Sequence, residues 1–154
     1  MTEPPRYPGY DVLTKRDTPS WNAKTREVIE QRLATPNAPR FEPALFVKSQ
    51  VMSRGAAHAV VDAGHKSHAL DSGMPAVWRR ELAYTSGGDE HGILRPRPAA
   101  AASALPALDE TIWLVPGHCD PTVNLHDHYV GVRGGLAVGV VESIWPIEAR
   151  GAVR

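Results

Sequence analysis

A single cysteine, Cys119, occurs in the 154 residues, so no internal disulfide can form and a reducing, cytoplasmic setting is expected. Charge of one sign is also missing. Seventeen basic residues offset seventeen acidic ones, which argues against partners bound through excess positive charge, both nucleic acid and anionic membrane surfaces. The N-terminus, Met1-Thr2-Glu3-Pro4-Pro5, has neither a basic patch nor an apolar stretch, so no signal peptide is readable. The longest apolar run, about Ala99 to Leu108, is broken by Ser103 and Pro106 and is too short to span a bilayer. Aromatic residues make up only 6% of the chain, whereas 13 glycines and 14 prolines punctuate it, favouring short elements joined by turns. At 42% hydrophobic and 22% charged, the composition supports a packed core and excludes wholesale disorder.

Two regions follow. Residues 1–40 read as a proline-rich extended arm, an amphipathic helix and a linker. Ser20 is placed as N-cap, and Trp21, Val28, Ile29 and Leu33 recur at helical spacing up to Ala34, before Thr35-Pro36. Residues 41–154 change to strand grammar. Leu45, Val47 and Val51 share one face of a strand, with Phe46 and Met52 opposite. Short strands are expected at Ala59–Asp62, from near Glu81 to Ser86, at Glu90–Leu94, and at Thr111–Val115. Tyr129–Arg133 and Leu136–Ile144 flank Gly134-Gly135, a dipeptide suited to a two-residue hairpin turn. The stretch from Pro96 to Leu108 reads as a low-complexity loop. The fold class is therefore mainly β, an antiparallel barrel or sandwich-like domain.

Pro116-Gly117-His118-Cys119-Asp120-Pro121 follows the Thr111–Val115 strand directly. If the chain stays extended there, His118 and Asp120 project to one face and can ligate a divalent cation, nitrogen plus oxygen suiting zinc or manganese. The triplet is common, however, and on spacing alone a solvated surface pair is the stronger explanation. Cys119 points the other way and reads as a small buried hydrophobe. Glu90, His91 and His126 are candidates for an active-site rim, with an exposed hairpin tip as the alternative for the first two. His126 and His128 share a face by the same alternation. Asp62 and Asp71 read as turn caps before Gly64 and Gly73, and Lys66 as a solvated loop residue. No hydrolase triad, phosphate loop or dinucleotide fingerprint is present.

Val115-Pro116-Gly117-His118-Cys119-Asp120-Pro121-Thr122-Val123-Asn124-Leu125, followed by Tyr129-Val130-Gly131-Val132-Arg133-Gly134-Gly135, resembles the closing signature of the D-threonine aldolase and D-serine dehydratase-like family. Val60-Val61-Asp62-Ala63-Gly64-His65-Lys66 with Asp71-Ser72-Gly73, and Asp89-Glu90-His91-Gly92, are similar to two further segments of that family, in the same order. The resemblance covers about Phe41 to Gly151. It implies the C-terminal β domain of a two-domain lyase of β-hydroxy-D-amino acids, whose other domain is a (β/α)₈ barrel with a lysine that holds pyridoxal phosphate. It also implies that His118 and Asp120 are the metal ligands, the acid at the second position resembling the aldolase branch. A metal there would bind a substrate β-hydroxyl and lower its pKa, so that a base could start Cα–Cβ cleavage with pyridoxal phosphate as the electron sink. Catalytic residues are not assigned.

A barrel needs roughly 250 residues, and only residues 1–40 precede the β region here. None of Lys15, Lys24, Lys48 and Lys66 lies in a context resembling the cofactor lysine of the family. The chain is thus expected to be inactive alone, with pyridoxal phosphate entering only with a barrel partner. That partner would be a separate chain, or the exposed interdomain face would drive self-association. Two alternatives remain: a non-enzymatic interaction module derived from such a domain, and an independent metallohydrolase with a further ligand from His91, His126 or His128.

Overall fold

In the computed structural model, residues 42–97 and 105–151 are described; the arm, helix and linker expected within residues 1–40 lie outside them. Among the described residues, eight strands and one short helix follow in order. They are β1 (Val47–Arg54), β2 (Ala59–Val61), β3 (Ala76–Val77), β4 (Leu82–Ser86), β5 (Gly92–Pro96), β6 (Thr111–Val115), α1 (Cys119–Val123), β7 (His128–Arg133) and β8 (Val140–Pro146). The first six form one sheet in the order β3-β6-β1-β2-β5-β4, and β7 with β8 forms a separate two-stranded ribbon. All pairings are antiparallel. The two outer strands of the larger sheet, β3 and β4, approach each other, so the sheet curls into a nearly closed barrel.

Alternation drives the curl. Val47, Ser49 and Val51 point inward from β1 while Lys48, Gln50 and Met52 face out. Leu82 and Tyr84 of β4, Leu94 of β5, and Ile112 and Leu114 of β6 converge on the same interior. Between Val51 and Ser53 the register of β1 against β2 slips by a bulge, which bends that strand and adds twist where the sheet must turn. The expected strand positions are therefore met to within a few residues, and the expected mainly-β antiparallel architecture is the one observed.

Several local expectations are corrected. Leu105 and Pro106 are buried, and Leu105 joins the core, so the end of the alanine-rich stretch is part of the packing. Ala76–Val77, unforeseen, is an edge strand on β6. Gly134 and Gly135 do take positive φ angles, of 89° and 95°, but they do not make a two-residue turn. The connection runs over residues 134–139, and the last strand starts at Val140 rather than Leu136. Val130 pairs with Ile144 and Val132 with Val141, so these four aliphatic side chains share one face of the ribbon, all of them exposed.

Two polar side chains lie deep in the barrel. Tyr84 donates its hydroxyl hydrogen to the Ala63 carbonyl at 2.6 Å, and His68 Nε2–H donates to the Tyr84 oxygen at 3.0 Å. The rings meet edge to face, 5.1 Å apart. Burial pushes the Tyr84 hydroxyl up to about 12 and lowers the His68 imidazole from its ordinary 6.5, so both stay neutral. Unfolding frees His68 to take up a proton near 6.5 that the native state refuses. Stability is therefore intact above that value and is lost as pH falls from it through the lowered native value. Urea midpoints measured between these limits should fall with pH in the native sequence, and the slope should flatten in His68→Gln. An unchanged slope would assign the effect elsewhere.

Candidate metal site

Three loops meet at one end of the barrel, and the loop after β2 is the link between the other two. Its amides His65 and Lys66 donate to the carbonyls of Gly88 at 3.2 Å and Asp89 at 2.9 Å, on the β4–β5 turn. Farther along, the Ala69 amide donates to Thr122 Oγ1 at 3.1 Å, and the Thr122 hydroxyl donates to the His118 carbonyl at 2.6 Å. His126 Nε2–H donates to the Ser67 carbonyl at 2.8 Å. Backbones pack closely at both contacts. A Cβ on Gly64 would fall 2.5 Å from the Gly88 oxygen, and one on Gly117 would fall 2.5 Å from the Gly73 oxygen. Side chains are excluded there.

The segment after β6 does not stay extended, which corrects the strand geometry expected for it. His118 is the extended N-cap residue, with φ −146° and ψ 121°, and Cys119–Val123 form one helical turn. Pro121 is tolerated because it is the third helical residue, where the amide has no partner inside the helix. His118 and Asp120 are thus arranged by a helix start, not by strand alternation. Cys119 is exposed, correcting the expectation of a buried hydrophobe.

His118 is half-buried, and its Nδ1 lies 2.6 Å from Asp71 Oδ2. Ser72 Oγ also donates to that Asp71 oxygen, at 3.0 Å, and lies 3.4 Å from the same imidazole nitrogen. Asp71 therefore reaches across to His118, a contact the turn-cap reading missed. Burial alone would push the Asp71 carboxyl up, but the hydrogen bonds from His118 and Ser72, the charge of His118 and a backbone hydrogen bond outweigh it, holding Asp71 below its ordinary value. Asp120 stands in the first helical turn with an exposed side chain.

The remaining candidates are tied down locally. Glu90 accepts a hydrogen bond from Lys66 Nζ at 2.9 Å, which pulls the Glu90 carboxyl down and pushes the Lys66 ammonium up. Lys66 is solvated, as expected. His91 sits at the same turn, its carbonyl accepting from the Gly87 amide. Asp62 caps no turn: it accepts from Ser49 Oγ and the Gln50 amide, each at 2.8 Å, and stitches β2 to β1. Among the described residues, no group of three or more His, Cys, Asp or Glu side chains is arranged to hold a metal. The donor chemistry still fits a sparse site: one imidazole already braced on a carboxylate, and one nearby acid in the adjoining turn.

A curled antiparallel barrel with a carboxylate-braced histidine at its loop end defines the class of domain. The sequence profile described as "Putative serine dehydratase domain" matches residues 44–132, and the chain belongs to that family. A 3-hydroxy-D-aspartate aldolase of Paracoccus denitrificans is 45% identical over 113 residues, covering 72% of this chain and 27% of that protein. A D-threonine aldolase of Arthrobacter sp is 48% identical over 116 residues, covering 74% and 29%. The crystal structure of D-threonine aldolase from Filomicrobium marinum superposes with a TM-score of 0.69 at 50% identity, covering 78% of this chain and 31% of that one. This chain spans less than a third of the length of these relatives.

Proposed function

We propose that this chain is the metal-carrying β domain of a lyase acting on β-hydroxy-D-amino acids, with His118 and Asp120 as the protein ligands of a zinc or manganese ion. The observation that carries the reading is the 2.6 Å contact between His118 Nδ1 and Asp71, which leaves Nε2 as the coordinating nitrogen. The names of the relatives, aldolases of 3-hydroxy-D-aspartate and D-threonine, support the substrate class. Bound beside a substrate, the ion would supply Lewis acidity to a hydroxyl oxygen, and pyridoxal phosphate an electron sink. The chain's own residues orient the imidazole, present the Asp120 carboxylate and leave the remaining coordination positions to water or substrate.

Activity on this reading requires a pyridoxal-phosphate barrel, whether on a partner chain or in further sequence. The exposed thiol of Cys119 suits a reducing cytoplasm. A second reading, an interaction module without chemistry, draws on the exposed aliphatic face of Val130, Val132, Val141 and Ile144.

Calorimetric titration separates the two. Zinc or manganese should bind weakly to the native chain and not measurably to His118→Ala or Asp120→Ala, and the affinity should fall as pH drops through the ordinary histidine range near ~6.5. With pyridoxal phosphate and metal added, the 154-residue chain should release no glycine or aldehyde from D-threonine. Equal ion binding by all three proteins would defeat the assignment, and turnover would defeat the need for a barrel.

A further inference from the structure

We infer that Asp71 is a positioning residue that locks the His118 imidazole in the Nδ1–H tautomer and so presents Nε2 for coordination. The inference rests on the proposed metal site but makes a claim about the metal-free chain. A neutral imidazole has one N–H and one lone pair, and either nitrogen can carry the proton. A carboxylate at hydrogen-bond distance decides the matter because it only accepts. Asp71 Oδ2, 2.6 Å from Nδ1, therefore holds the proton on Nδ1.

The brace is built to stay in place. Ser72 donates to the same Asp71 oxygen at 3.0 Å. Gly117 packs on the Gly73 carbonyl so closely that no side chain fits between them, fixing the Asp71-Ser72-Gly73 turn against the residue before His118. Thr122, itself buried, receives the Ala69 amide and donates to the His118 carbonyl, setting the backbone on both sides of the pair. Both contacts of the His118 ring, to Asp71 and Ser72, fall on Nδ1, and the ring is half-exposed, so the brace leaves Nε2 as the nitrogen that faces a ligand. Forty-seven positions separate Asp71 from His118, and the packing of the loops at this end brings them together.

The test uses the whole 154-residue chain labelled with ¹⁵N-histidine. At about pH 8, where a histidine of ordinary pKa is neutral, the His118 ring should show a protonated Nδ1 and a bare Nε2. In Asp71→Ala the ring should shift toward the Nε2–H tautomer that predominates in free imidazole side chains, and zinc affinity should fall roughly ten- to a hundred-fold. Asp71→Asn keeps the size of the side chain, but its amide can donate as well as accept, so it should release the tautomer as the alanine variant does and lose zinc affinity with it. It also serves if the alanine variant does not fold. A protonated Nε2 in the native chain would overturn the inference, as would an unchanged tautomer in Asp71→Ala. Failure of zinc to bind the native chain would sink the metal reading alone, because the tautomer is read without metal.

Discussion

Replacing Leu114 with alanine is expected to cost ~2–5 kcal/mol of unfolding free energy. Leu114 is fully buried in β6, paired on one side with Val47 of β1 and on the other with Val77 of β3. Truncation removes the transfer free energy of the lost carbons and leaves a cavity that two flanking strands, fixed by ladder hydrogen bonds, can only partly close. A domain with a core this small has little stability in reserve, since net folding free energies of single domains are only ~5–15 kcal/mol. Chemical denaturation monitored by tryptophan fluorescence gives the comparison directly. A loss below ~1 kcal/mol, within reach of a volume-tolerant site, would mean that the barrel collapses around the gap and that the packing described for β6 is wrong.

Gly64→Ala is expected to be nearly as damaging, by a different route. The added methyl would stand 2.5 Å from the Gly88 carbonyl oxygen and 2.6 Å from the carbonyl carbon and oxygen of Asp89. All three are backbone atoms, so no rotamer change relieves the overlap. The two loops must separate, at a cost of ~1–3 kcal/mol or more. His65 and Lys66, whose amides donate across this contact, should then lose protection against hydrogen exchange. Gly55→Ala is the control, because the three atoms nearest its Cβ would all belong to the ring of His58, a side chain that can move aside. Protection at His65 and Lys66 equal to that of the native chain would refute the close approach.

The barrel was legible because its strands alternate plainly. Val47 and Val51 inward with Lys48 and Met52 outward is a period-two pattern, and Gly87-Gly88-Asp89 marks the turn between β4 and β5. Tyr84 could have been read further: it shares the inward face with Leu82, and a buried hydroxyl requires a partner, which proves to be Ala63 with His68 beside it. The helix at Cys119–Val123 was hidden by its brevity. A single turn has no apolar periodicity, and Pro121 argues locally against any helix. The family resemblance marked His118, Asp71 and Glu90 as belonging to matched segments, but not which of them touch. Asp71 meets His118 while Glu90 is tied to Lys66, and such distinctions follow from loop packing, which leaves no periodic trace.

The contacts that assemble the site are of a different kind from those that close the barrel. Strand ladders over a buried core open only with much of the domain, whereas the backbones of His65, Lys66 and Ala69 each donate a single hydrogen bond between loops. Such bonds break and re-form through small fluctuations that leave the sheet shut. The His118 end of the molecule is therefore expected to open at a lower free energy than the sheet. Its shape is kept by how rarely those loops part, so a variant that leaves the melting temperature untouched can still loosen it.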